Sequence, residues 1–94
     1  MPAQTVDAIV ALLEQAERAH GAYETTALGG VYDEAWPEWY AAHLLAHGLG
    51  ELLPAEPGAA ELAATLRRLD AAYRQEQPAV TWTRYYAQAL APPS

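Results

Sequence analysis

All three histidines of this 94-residue chain fall in two pairs spaced four residues apart. His20 pairs with Glu24, and His43 pairs with His47. On a helix, residues i and i+4 share a face, with Cβ atoms about 6 Å apart. That span suits two ligands on one metal ion. Three imidazoles and one carboxylate would suit zinc or another borderline divalent cation, with Glu17 one turn before His20 as a further ligand. The same histidines could serve a small enzyme as acid–base groups. A plainer account competes with both. His20 and His47 each precede glycine in an A-H-G string, and a histidine in the last turn before a glycine is ordinary helix-ending chemistry. His43 fits equally well as a hydrogen-bonded core histidine. Register matters too, because an antiparallel partner helix would set the end of the first helix nearer Trp36 than His43 or His47.

The aromatic residues form the second chemical feature. There are six Tyr, three Trp and no Phe. Every ring except those of histidine therefore carries a hydrogen-bonding atom, and such rings suit surfaces that are partly apolar and partly wet. They are enriched at protein–protein interfaces and in pockets with a few polar anchors. Tyr32, Trp36, Trp39 and Tyr40 make one cluster; Trp82, Tyr85 and Tyr86 make another. The alternative is a small core built from Tyr and Trp with their polar tips at its edge. Asp33, Glu34 and Glu38 lie beside Trp36. Paired carboxylates can do acid–base work, but the positive end of a helix accounts for them more simply.

Other chemistries are excluded. Zero cysteine removes disulfides, thiolate metal sites and cysteine nucleophiles. No nucleophile elbow, phosphate loop or dinucleotide fingerprint is present, and Gly29-Gly30 lacks the downstream Lys-Ser/Thr of a phosphate loop. Twelve acids against five arginines give a formal charge of −7. That balance argues against nucleic acid, which needs clustered Lys and Arg. Arg67, Arg68 and Arg74 are the only local concentration, and Glu61, Asp70 and Glu76 surround them. No apolar run approaches the ~20 residues of a membrane span. The first residues, MPAQTVDAIVALLEQ, lack the basic start of a signal peptide. The expectation is a cytoplasmic protein.

The elements that must position these residues are helices. Alanine fills 22 positions and leucine 12. One domain of about four helices over residues 1–94, packed as a small bundle or orthogonal array, follows from length and punctuation. The first helix starts near a Thr5 cap, with Asp7 in its first turn. Val6, Ile9, Val10, Leu13, Ala16, His20 and Tyr23 form its apolar stripe. Gly21 could end it as a C-cap, but because Tyr23, Ala27 and Leu28 keep the spacing, the favoured reading runs on through Gly21 to Gly29-Gly30, at about 1 kcal/mol for the internal glycine. The second helix spans PEWYAAHLLAH, with Pro37 in its first turn. LGELLPAEPG reads as a loop whose Leu49, Leu52 and Leu53 pack on the bundle. The third helix runs from about Ala59 to Glu76 on a Leu62, Leu66, Leu69 and Tyr73 stripe and is ended by Pro78. The fourth starts at Thr81 and is stopped by Pro92-Pro93.

The stretch HGAYETTALGGVYDEAWPEWYAAHLLAHGL resembles a group of short, uncharacterised bacterial proteins sharing an H-x-x-Y-E start and a G-G-x-Y-D-x-x-W-P-x-W-Y-A core. It covers about a third of the chain. The resemblance implies no activity but directs attention to His20, Tyr23, Glu24, Asp33, Trp36 and Trp39. Tyr32, Glu34, Trp36, Leu44-Leu45 and Gly48 are also similar to the helical N-terminal part of nitrile hydratase β-subunits and their accessory proteins. That likeness implies a helical partner-binding piece without catalytic residues, since the metal centre there belongs mainly to the other subunit and its cysteine cluster is missing here.

Taken together, the sequence points first to a non-catalytic binding protein. It would present Tyr23, Tyr32, Asp33, Trp36, Trp39, Tyr40, Trp82, Tyr85 and Tyr86 to a protein partner or to a second copy of itself. A metal or small-molecule site on His20, Glu24, His43 and His47 comes second, with a zinc-like divalent ion as its cofactor. A small enzyme comes third. No nucleic-acid or membrane partner is expected.

Overall fold

Pro2–Thr26 form one helix, α1, which passes through Gly21 without a break. The computed structural model describes residues 2–92. Ile9, Leu13, Ala16 and His20 are the buried positions of α1, and their steps of four, three and four trace one helical face. The helix begins at Pro2, upstream of the Thr5 expected as its cap. Proline's fixed φ suits a first helical turn, so the start moves upstream. At the other end, Thr25 and Thr26 donate their hydroxyls to the carbonyls of Gly21 and Ala22. Gly29 and Gly30 then take positive φ, 62° and 84°. That turn lets the Gly30 N–H reach the Glu24 carbonyl at 2.8 Å.

Helix α2 spans Trp36–Ala46, with Pro37 in its first turn. Its C-cap is His47, whose Nδ1–H donates to the His43 carbonyl at 2.7 Å. Gly48 follows at φ 98°, a value that L side chains adopt only under strain. The expected loop after Gly48 contains a further turn of helix, α3, Leu49–Leu52. Leu49 is fully buried, and Leu52 and Leu53 pack against the core. These leucines recur at helical spacing, so burying them curls the segment that proline and glycine had marked as loop.

Helix α4 is Ala59–Glu76, begun by a Glu61 carboxylate that accepts the Gly58 N–H at 3.1 Å. Gln77 takes the left-handed conformation ahead of Pro78. Helix α5 is Trp82–Leu90, capped by Thr81, whose hydroxyl accepts the Arg84 N–H. Of the two expected stop residues beyond it, Pro93 lies outside the described residues.

The architecture is all-α. Helix α2 lies along α4 and α1 along α5. Leu13, Leu44, Leu62, Leu66 and Tyr86 belong to the shared core. Contacts from Gln15 to His43, His20 to Trp39 and Tyr40, and Glu24 to Asp33 run in opposite senses along the chain. Helices α1 and α2 are therefore antiparallel. Among the described residues no helix is long and apolar enough to cross a membrane.

Candidate functional site

The antiparallel register decides what the histidines can do. It sets His20 opposite Trp39 and Tyr40, and sets His43 opposite Gln15, further back along α1. His20 and His43 therefore meet different partners. His20 is 7% exposed. Its Nε2–H donates to Asp33 Oδ2 at 2.9 Å, since an ionised carboxylate can only accept. Its Nδ1 faces Glu24 Oε1 at 3.8 Å. Glu24 Oε2 in turn accepts the Asp33 N–H at 3.3 Å, and Asp33 Oδ1 accepts the Ala35 N–H at 3.0 Å. Asp33 thus ties the end of α1 to the start of α2. The rings of Tyr23, Trp39 and Tyr40 pack around the imidazole at 6.0, 4.8 and 5.1 Å. His20 does not end a helix, so the A-H-G reading fails for it. For His47 that reading holds.

His43 Nε2 donates to Gln15 Oε1 at 3.0 Å, and the His43 and His47 rings stack with centroids 4.0 Å apart. Burial, then the neighbouring His47 charge, holds the His43 pKa below the usual histidine value. The zinc-like set of His20, Glu24, His43 and His47 is not assembled. Each imidazole spends a nitrogen on a different protein acceptor, and among the described residues no group of three His, Asp or Glu side chains could hold a metal ion.

The aromatic residues do converge. Trp36–Tyr40, Tyr40–Trp82 and Trp82–Tyr86 meet edge to face at 5.7, 6.2 and 5.1 Å, so the two sequence clusters form one run of rings. These four rings, with Tyr32 and Tyr73, line a cleft of about 470 Å³ between α1, α2, α4 and α5. His20 and Glu24 open onto it, as do Glu17, Asp70 and Arg74. A neighbouring groove of about 650 Å³ shares Tyr32, Trp36, Asp70 and Arg74 and adds Glu34 and Arg67. Three of the expected aromatic residues stay outside the cleft. Tyr23 and Trp39 serve as packing for His20, and Tyr85 packs on Tyr73 and Tyr86 with its hydroxyl donating to Glu76.

Polar groups around the cleft are largely engaged. Trp82 Nε1–H donates to Glu17 Oε2 at 3.3 Å. Arg74 Nε donates to Asp70 at 3.1 Å, and the Tyr86 hydroxyl donates to the same carboxylate at 3.4 Å. Burial, with the Glu17 and Glu24 charges next, pushes the Tyr40 phenol up to about 12. Burial, then Asp70, raises Tyr86 as well. Both phenols therefore stay neutral through the physiological range and remain donors. The Tyr40 hydroxyl makes no hydrogen bond among the described residues.

Sequence reading did not assign Asp70, Tyr73 and Arg74 to the site. Asp70 and Arg74 are visible as an i,i+4 ion pair, but only the packing of α4 on α2 shows that they face Trp36. No family model, curated protein or solved structure matches the chain.

Proposed function

We propose that this is a non-catalytic binding protein of the cytoplasm, and that the Tyr/Trp-lined cleft is where it binds a small molecule. One observation carries the reading: rings from residues 32–40 and 82–86, remote in sequence, line one concavity. Its volume of about 470 Å³ lies within the range of small-molecule sites. Apolar walls with a few oriented polar groups are the usual make-up of such sites. The His20–Asp33 bond braces the wall formed by Tyr40. An acid–base role for His20 is less favoured, because the nitrogen left over by the Asp33 bond, Nδ1, faces the Glu24 carboxylate at 3.8 Å and the side chain is only 8% exposed.

The three indoles supply the test, since Trp36 and Trp82 line the cleft and Trp39 does not. The ¹⁵N-labelled protein would be titrated with phenol, tetramethylammonium, acetate, phosphate and glucose. The reading expects at least one probe to move the Trp36 and Trp82 indole N–H signals and leave Trp39 nearly still. If no probe moves them, or Trp39 moves most, the reading is wrong.

A second reading, self-association, draws on the neighbouring Val31 and Tyr32, which are 66% and 64% exposed. Tyr32 also lines the cleft, so a second copy or another protein seated there would cover the same rim.

A further inference from the structure

The cleft carries more carboxylate than its own cations neutralise. Glu17, Glu24, Asp33 and Asp70 stand in or beside it, against His20 and Arg74. Arg74 is bound to Asp70, and His20 is bound to Asp33. Among the described residues the one ion pair of Glu24 is the longer approach of His20 Nδ1, at 3.8 Å; its other oxygen accepts the uncharged Asp33 N–H. Glu17 has no ion pair among the described residues; its hydrogen bond comes from the uncharged Trp82 indole. Even with His20 charged, a negative excess remains.

The same space is walled by rings at near right angles. Trp36–Tyr40, Tyr40–Trp82 and Trp82–Tyr86 are inclined at 89°, 78° and 74°. Electron-rich rings set at steep angles around one hollow are the kind of surroundings in which aromatic cages hold quaternary ammonium groups. A cationic ligand would gain the attraction of the Glu17 and Glu24 carboxylates at the rim, which a neutral ligand would forgo. An anionic ligand would meet them as like charges.

We infer that the ligand of this cleft is a small organic cation, an aliphatic ammonium held among the rings that line it, chiefly Trp36 and Trp82, and by the Glu17 and Glu24 carboxylates. The inference rests on the binding reading above and names the ligand class.

Choline and 3,3-dimethylbutan-1-ol have the same shape and differ by nitrogen for carbon, so they separate charge from fit. 3,3-Dimethylbutanoate supplies the anion. Each is titrated into the full-length chain while the Trp36 and Trp82 indole N–H signals are followed. Choline should bind at least about tenfold more tightly than the neutral alcohol, with the carboxylate weakest. Glu17→Gln keeps an oxygen for the Trp82 N–H. It should weaken choline severalfold and leave the alcohol unchanged, with an unaltered melting curve as the fold control. Glu24→Gln is the second variant and should act in the same direction. Equal affinity for choline and the alcohol would overturn the cation inference while leaving the cleft a binding site. Tighter binding of the carboxylate would do the same. If none of the three moves either indole, the inference is wrong, and the wider probe panel decides the binding reading separately.

Discussion

Replacing Asp33 with alanine should unfold this protein more readily than any comparable change on its surface. The Asp33 and His20 side chains are 12% and 8% exposed, and the bond between them is 2.9 Å. Asp33→Ala leaves the His20 Nε2–H enclosed by rings and without an acceptor. A buried hydrogen bond to a charged group, once broken, costs about 1.5–3 kcal/mol. The variant also loses the Oδ1 acceptor for the Ala35 N–H ahead of α2. That bond is exposed, so it adds about 0.5 kcal/mol. The expected loss is about 2–3.5 kcal/mol. For a domain of this size that lowers the midpoint by roughly 10–20 °C. Asp33→Asn keeps the Ala35 bond but offers His20 an amide, and should fall between. Thermal and urea unfolding followed by circular dichroism read these losses directly. A cycle with His20→Ala isolates the pair, with an expected coupling of about 1 kcal/mol or more. If Asp33→Ala lies within about 0.5 kcal/mol of the parent, or the cycle shows no coupling, the clamp between α1 and α2 is not what the geometry says.

Other consequences concern titration and assembly. The Tyr40 phenol has a folded pKa of about 12, above its unfolded value of about 10. Its contribution to stability is therefore present below pH ~10 and is lost as pH rises toward 12. Screening reduces that loss to on the order of 1 kcal/mol; urea midpoints taken across the alkaline range measure it, and Tyr40→Phe should flatten the slope. His43 is displaced in the other sense, so it favours folding above its unfolded pKa of about 6.5, and that stability declines as pH falls below it. His47→Ala removes the second cause of the shift and should move the His43 titration upward, as followed by imidazole proton shifts. If Val31 and Tyr32 mediate self-association, light scattering at high micromolar concentration shows dimer for the parent and monomer for Val31→Ser/Tyr32→Ser. A parent that stays monomeric contradicts that reading.

Much of the fold was legible because local signals agreed. The α4 stripe, with Pro78 beyond it, agrees with the observed Ala59–Glu76, and Thr81 caps α5 as its side chain suggested. Spacing also outweighed Gly21, since Tyr23 and its neighbours continued the face of α1. Two local expectations lost to other constraints. Thr5 is a good cap by type, but Pro2 starts the helix earlier. Pro54, Pro57 and Gly58 marked a loop, but burial of Leu49 made its first residues helical. The site was less legible because it depends on register between helices. The pairs His20–Glu24 and His43–His47 each fit one face, yet facing residues on α1 and α2 are fixed by packing across the pair. That register sent Gln15 to His43 and Asp33 to His20. The two aromatic clusters were readable as clusters, but their union through Tyr40 and Trp82 was not. Nor was the arrival of Asp70 and Arg74 beside Trp36, for the same reason.

Intermolecular nuclear Overhauser contacts locate a bound probe on the protein. The tightest-binding member of the probe panel should be used, with the protein near saturation. Contacts from its protons to the ring protons of Trp36, Trp82 and Tyr86, with none to Trp39, are the result expected for a ligand in the cleft. Contacts to Trp39, His43 or His47 instead would place the ligand on the opposite side of the Trp39 ring, and would rule out the cleft as its binding site.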